Sequence, residues 1–209
     1  MTATAAWGAT APTSGLNPIT IERRTLRGED VAIDIAYCGV CHSDLHVARN
    51  DWGRTTYPFV PGHEIVGTVR AVGDQVTRFR VGDRVAVGTV IDSCRHCDAC
   101  DEGEENYCRE GSTGTYNGKD RIDGSPTYGG YSASIVVAEP FVLRVPDNLD
   151  MAAAAPLLPP SAIACNRAGR EDTMASSDIA NTPLRAISAR IISASSQGNG
   201  SRSMVMPCT

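Results

Sequence analysis

The chain is expected to be mainly β with short helices. Three observations carry that expectation. Apolar side chains alternate with period two in Val31-Ala-Ile33-Asp-Ile35-Ala-Tyr37, the mark of a strand with one face buried. Further short apolar runs follow at Ile65–Val72 and Arg84–Ile91. Gly62, Gly73 and Gly82 punctuate these runs as tight turns between short strands require.

In order, residues 1–20 are small and polar, with Pro12, Gly15 and Pro18, and are expected to be a loosely held start. Ile19–Arg24 and Val31–Tyr37 are expected strands, and Asn50–Pro61 is a loop holding Trp52, Tyr57 and Phe59. Ile65–Val72 is a strand, Gly73-Asp74 a turn, and Arg84–Ile91 the next strand. Residues 92–130 are a long irregular segment, and a loop of that length inside a compact domain needs its own staple. Tyr131–Ala138 and Phe141–Val145 are the last clear strands. Pro146-Asp-Asn-Leu-Asp then starts a short helix, Met151–Leu158, with an N-cap-like residue.

A length of 209 residues suffices for one well-packed domain and part of another. The net charge of −5 argues against general nucleic-acid binding, which needs a basic patch. No apolar run approaches a membrane span. The start, Met1-Thr-Ala-Thr-Ala-Ala-Trp7, lacks the basic and apolar regions of a signal peptide, so a reducing cytoplasm is the expected compartment. Eight cysteines there read as metal ligands or inert thiols before disulfides.

Chemistry concentrates in Cys38-Gly-Val-Cys41-His42-Ser43-Asp44-Leu45-His46 and in Pro61-Gly62-His63-Glu64. Cys41 and His63 suit zinc. They are expected to hold a catalytic zinc, with Ser43 and His46 moving protons beside it. Cys38 reads as a buried thiol behaving as a small hydrophobe. The staple of the irregular segment is Cys94-x-x-Cys97-x-x-Cys100-x7-Cys108, four thiolates able to close a tetrahedral structural zinc site. The alternatives are two disulfides or idle thiols. His96 reads as a solvated loop residue.

Together these segments resemble the zinc-dependent medium-chain alcohol dehydrogenases, in their cinnamyl-alcohol-dehydrogenase-like branch. The resemblance is carried by CGVCHSDLH (38–46), YPFVPGHEIVG (57–67), VGDQVTRFRVGDRVAVG (72–88), SCRHCDACDEGEENYC (93–108), GTYN (114–117), TYGGYSASIVV (127–137) and AAAAPLL (152–158). It implies a GroES-like catalytic domain over residues 1–158, with two zincs. On that pattern Cys41 and His63 ligate the catalytic zinc and Glu64 lies beside it as an alternative ligand. Asp44 accepts from the far nitrogen of His63, Ser43 touches the substrate oxygen, and His46 passes the proton to solvent. His42 lies near the cofactor pyrophosphate, and Trp52 and Tyr57 wall the substrate pocket. Cys94, Cys97, Cys100 and Cys108 hold the structural zinc. The resemblance further implies hydride transfer between NADP or NAD and a small alcohol or aldehyde. It also implies a homodimer, doubtful without a nucleotide domain. Plainer roles stay open: His42 as a loop histidine, Glu64 as an arginine partner, Asp44 as a turn residue.

The resemblance breaks after Leu158. Pro159 stands where the family places the third cysteine ligand of the catalytic zinc, and proline has no ligating side chain. No Gly-x-Gly-x-x-Gly follows residue 160. Residues 1–150 carry 14 basic and 21 acidic side chains, a net of −7, whereas residues 151–209 carry 5 and 3, a net of +2. No aromatic follows Phe141. Residues 159–209 are therefore expected to be an aberrant, disordered tail in place of the NAD(P)-binding domain. A truncated and impaired dehydrogenase is the resulting expectation; the alternative is a non-catalytic zinc-binding β-domain acting as an interaction module.

Overall fold

In the computed structural model, residues 1–158 and 205–207 are described. The expectation of disorder over 159–209 falls almost wholly outside them. Among the described residues the protein is mainly β, as the period-two pattern required, with three helices of four to seven residues, α1 (His42–Ala48), α2 (Asp98–Asp101) and α3 (Met151–Ala154). Among the described residues no helix is long and apolar enough to cross a membrane.

The start of the chain corrects the expectation of a loose segment. β1 (Thr2–Gly8) pairs antiparallel with β2 (Asn17–Arg23) along its whole length, from Thr2 opposite Arg23 to Gly8 opposite Asn17. Thr4, Ala6 and Gly8 point inward and the residues between them outward. The alternation is present but runs through small side chains, so it carries little hydrophobic signal.

β3 (Asp30–Gly39) is the axis of the main sheet. β4 (Ile65–Val72) pairs with it from Val31 to Cys38, with register shifts at Ala32/Ile33 and Ile35/Tyr37. The other edge of β3 is shared in tandem: β8 (Ser134–Ala138) pairs with Asp30–Asp34, and β10 (Val205–Pro207) with Tyr37–Gly39. β5 (Arg84–Val87) and β9 (Leu143–Arg144) extend the sheet beyond β4. The expected strand Arg84–Ile91 breaks at Gly88-Thr89 into β5 and β6 (Val90–Asp92), and β6 pairs with β7 (Thr113–Gly114) at the base of the cysteine-rich loop.

Both faces of the sheet are covered. Ile33, Ile65, Val69, Val85, Val87, Ile135 and Val137 fill one core, whereas Val66 and Ala86 pack with Ala154, Ala155 and Leu158 on the other side. That is why β4 and β5 read as continuous apolar runs and not as alternation. Asp150 starts α3 by accepting from the Ala153 N–H at 2.9 Å, and a 3-10 turn, Ala155–Leu157, carries the chain to the fully buried Leu158. Burying such a side chain contributes about 1.5–3 kcal/mol.

One buried cation ties the hairpin to the site. Arg23 on β2 donates to the carbonyls of Ser134, Tyr128 and Gly129 and to the Ser132 hydroxyl, at 2.6–2.9 Å. Burial among neutral groups pulls its guanidinium down to about 9. The segment it grips lies against the loop before β4: Gly129 N–H donates to Val60 C=O, Gly130 to Gly62, and Tyr131 to Pro61. A Cβ on Gly129 would overlap the Pro61 carbonyl, so this contact requires glycine.

Candidate metal centres

Two strand ends deliver the first donor set. β3 stops at Gly39, and Val40-Cys41 leads into α1, whose first residues are His42, Ser43 and Asp44. The Pro61-Gly62 turn ends at His63-Glu64, just before β4. Because β3 and β4 are paired, with Cys38 opposite Ile65, these ends lie side by side. Gly62 takes a φ of +99°, in the left-handed region that favours glycine.

Asp44 joins the two ends. This buried carboxylate accepts from the Cys41 N–H at 2.9 Å, in the manner of an N3 acid reaching back to its cap, and from the Gly62 N–H at 3.0 Å. Its Oδ1 lies 3.3 Å from His63 Nδ1. The two are within ion-pair distance but lack hydrogen-bond alignment, and Nδ1 has no hydrogen-bond partner. The expected Asp44–His63 approach is thus present, while the carboxylate's actual bonds go to the two backbones.

One ligand atom each from Cys41, His63 and Glu64 lies within 4.8 Å of the others. His63 and Glu64 are buried and Cys41 is half-buried. The Glu64 carboxylate has one oxygen without a hydrogen-bond partner. Burial raises its pKa to about 7, against the attraction of His63. A Cβ on Gly39 would overlap that carboxylate, so Gly39 keeps the space for it. A thiol, an imidazole and a desolvated, under-bonded carboxylate converging on one point fit a zinc ion.

Ser43 and His46 are not paired with each other. The Ser43 hydroxyl lies 3.4 Å from the Tyr116 hydroxyl, and Tyr116 sets its ring edge against His63, with centroids 5.4 Å apart. Burial, then the Asp44 charge, raises the Tyr116 phenol above its usual range. His46 Nδ1 donates to Asp51 Oδ2 at 2.8 Å, and its ring stacks on Trp52 with centroids 5.5 Å apart. His42 lies 4.6 Å from the His46 ring. Trp52 is exposed, and the Tyr57 hydroxyl donates to the Ala48 carbonyl at 2.7 Å. Neither lines the cavity of about 750 Å³ beside Cys41, whose walls include Val40, Leu45, Leu16, Pro61 and Tyr131. The sequence reading missed Tyr116 and Asp51 as partners. Tyr116 was in view within Gly114-Thr-Tyr-Asn117, but nothing local connects it to Ser43, 73 residues away.

The four-cysteine loop forms the second donor set. One sulfur each from Cys94, Cys97, Cys100 and Cys108 lies within 4.8 Å of the others. Cys94 and Cys100 are 3.8 Å apart and Cys97 and Cys100 3.5 Å, and all four are free thiols. A disulfide needs about 2.05 Å, whereas a zinc tetrahedron with arms of about 2.3 Å has edges of about 3.8 Å. Backbone donors face the sulfurs: Cys94 N–H to Cys108, and Arg109 N–H to Cys97, both at 3.4 Å. These N–H groups favour thiolate, and the Arg109 donor leads in lowering Cys97 to about 6. The donor set fits zinc. His96 stays outside, exposed, with its ring between the Cys94 carbonyl and Glu110.

This β-domain thus carries two separate soft-donor sets, one of them beside a cavity. The chain belongs to the family of the alcohol dehydrogenase GroES-like domain, which matches residues 27–147. It is 54% identical over 159 residues to NADP-dependent alcohol dehydrogenase C 1 of Mycolicibacterium smegmatis, covering 76% of this chain and 45% of that protein. It is 52% identical over 143 residues to a probable cinnamyl alcohol dehydrogenase 3 of Oryza sativa, covering 68% and 38%. Among solved structures it is similar to a cinnamyl alcohol dehydrogenase of Sorghum bicolor, with a TM-score of 0.73, 46% identity, and 75% and 44% covered. A second similar structure is a CAD of Helicobacter pylori complexed with NADP(H), with a TM-score of 0.72, 38% identity, and 75% and 45% covered. The resemblance read from the sequence therefore holds for family and fold. The chain spans less than half the length of the curated relatives it matches.

Proposed function

We propose that this chain is the metal-carrying domain of an NADP(H)-linked alcohol dehydrogenase acting on a primary alcohol or aldehyde, with an impaired catalytic site. The observation that carries the proposal is the convergence of Cys41, His63 and Glu64 apart from the four-cysteine loop. The names of the relatives support NADP as the cofactor. The cytoplasm is the proposed compartment, since it keeps thiols such as these reduced.

In this role Cys41, His63 and Glu64 hold one zinc and Cys94, Cys97, Cys100 and Cys108 the other. When bound, the first would supply Lewis-acid polarisation of the substrate oxygen, and a nicotinamide cofactor would supply or accept hydride. Ser43 holds the reacting proton at Oγ, backed by the Tyr116 hydroxyl. His46 exchanges protons with solvent through Nε2, because Asp51 holds its Nδ1–H. Asp44 keeps the two ligand-bearing backbones together. The impairment lies in the ligand set. Pro159 cannot ligate, so Glu64 is left as the third donor; burial raises its pKa to about 7, and it must lose its proton to ligate, which weakens the hold on zinc as pH falls.

Zinc counting after dialysis against a chelator tests this. About one zinc should stay and a second should be lost at much lower chelator concentration. His63→Ala should abolish the weak site alone, and Cys100→Ser the tight one. Aldehyde reduction with NADPH should be slight for this chain. A weak zinc indifferent to His63→Ala would reject the catalytic-site assignment. A single zinc under all conditions would favour a non-catalytic zinc module.

A further inference from the structure

Two imidazoles meet on the surface of α1, outside both donor sets described above. His42 and His46 are four residues apart, a spacing that places side chains on one helix face. Their ring centroids are 4.6 Å apart. Two imidazoles bound side by side to one ion, with metal–nitrogen distances of about 2.0–2.1 Å, hold their ring centres about 4.5–5 Å apart. The same spacing of histidines serves zinc on the helices of metalloproteases.

A third residue sets the tautomer. Asp51, just past the end of the helix, accepts the Nδ1–H of His46 at 2.8 Å. That leaves the Nε2 lone pair free, the arrangement by which carboxylates orient metal-binding histidines. Trp52 stacks on the His46 ring and restrains its rotation. His42 is exposed and His46 half-exposed, so a hydrated ion reaches both.

We propose that His42 and His46 form a third metal site, for a borderline divalent cation such as Zn²⁺ or Ni²⁺, with Asp51 as the orienting carboxylate and water completing the coordination. With two protein ligands it is a weak, exchangeable site. When filled, it occupies His46 Nε2 and blocks that nitrogen for protons. This last consequence rests on the proton role proposed for His46; the binding does not.

Equilibrium dialysis of the zinc-loaded chain against Ni²⁺, with zinc and nickel counted in the same samples, tests the site. About one nickel per chain should bind while the zinc stays. His42→Gln and His46→Gln should each weaken nickel binding at least tenfold. Asp51→Asn should weaken it about 10–100-fold without removing a ligand. Circular dichroism and an unchanged tight zinc count establish that each variant is folded. Nickel affinity unchanged in both histidine variants, or nickel entering only as zinc leaves, overturns the proposal. Inhibition of the weak aldehyde-reducing activity is a separate readout: if nickel binds as stated and activity is unaffected, the proton role of His46 fails and the metal site stands.

Discussion

At the scale of single residues, Asp44 decides more than any ligand. Its carboxylate is the shared acceptor for the Cys41 and Gly62 N–H groups, which belong to segments 21 residues apart in sequence. Replacing it with alanine strands two N–H groups in a region shielded from water, each costing about 1–3 kcal/mol. Asp44→Ala should therefore lower stability by about 2–6 kcal/mol in a urea titration. It should also release the zinc proposed at Cys41 and His63, with the zinc proposed at the four cysteines unaffected. Asp51 and Tyr116 make the same point more weakly. Tyr116 meets the Ser43 hydroxyl and Asp51 bonds His46, and each lies outside the compact motif that drew attention to Ser43 and His46.

At the scale of elements, the loop between β6 and β7 has little apolar support of its own. Ala99 and Cys108 are its buried apolar residues along 93–112, with Ser93 buried beside them, while Tyr107 and most of its charged side chains are exposed. Its order depends on the sulfurs and on Arg95, which bonds Asp92 and Glu29. Stripping zinc from the four sulfurs should open this loop and leave the sheet folded. Limited proteolysis is the check: chelator treatment should speed cleavage within residues 93–112 at least tenfold, with the flanking strands protected. Equal cleavage with and without chelator would show that the loop is held by its ion pairs.

At the scale of the whole molecule, an ion network locks the β2–β3 connection to the distant 119–126 loop. Arg27 forks onto Asp120 at 2.9 and 3.0 Å and reaches Asp123 at 2.7 Å; Arg24 bonds Asp30 and approaches Asp120 at 3.2 Å. Burial works to raise the Asp120 carboxyl, but the Arg27 bonds and the Ile122 and Asp123 N–H groups outweigh it and hold it at about 2. A depressed carboxyl contributes stability that is present above its unfolded value of about 3.9 and lost as pH falls toward 2. Asp120→Asn should therefore cost about 1–2 kcal/mol near pH 6 after allowance for solvent screening. Denaturant midpoints of the two proteins should converge between about pH 4 and pH 2. A difference that persists at pH 2 would place the effect in packing and not in charge.

The division between sequence and tertiary structure follows from range. The four cysteines lie within 15 residues, so their spacing alone offers four sulfurs to one ion, and the loop geometry adds the sulfur separations of 3.5 and 3.8 Å that exclude disulfides and the N–H groups facing the sulfurs. β3, β4, β5 and β8 were legible because their apolar side chains are large; β1 was not, because its inward residues are Thr4, Ala6 and Gly8, and β10 was not, because it falls where a disordered tail was expected and three residues carry no periodicity. Cys41 and His63 were joined on donor chemistry, and Glu64 was added to them only through family resemblance. Physically their meeting comes from the pairing of β3 with β4, the Asp44 bridge, and the clamp of Gly129–Tyr131 on Val60–Gly62. Composition and spacing state which groups a chain can offer; bringing donors from separate strands to one point requires backbone hydrogen bonds that only the folded sheet supplies.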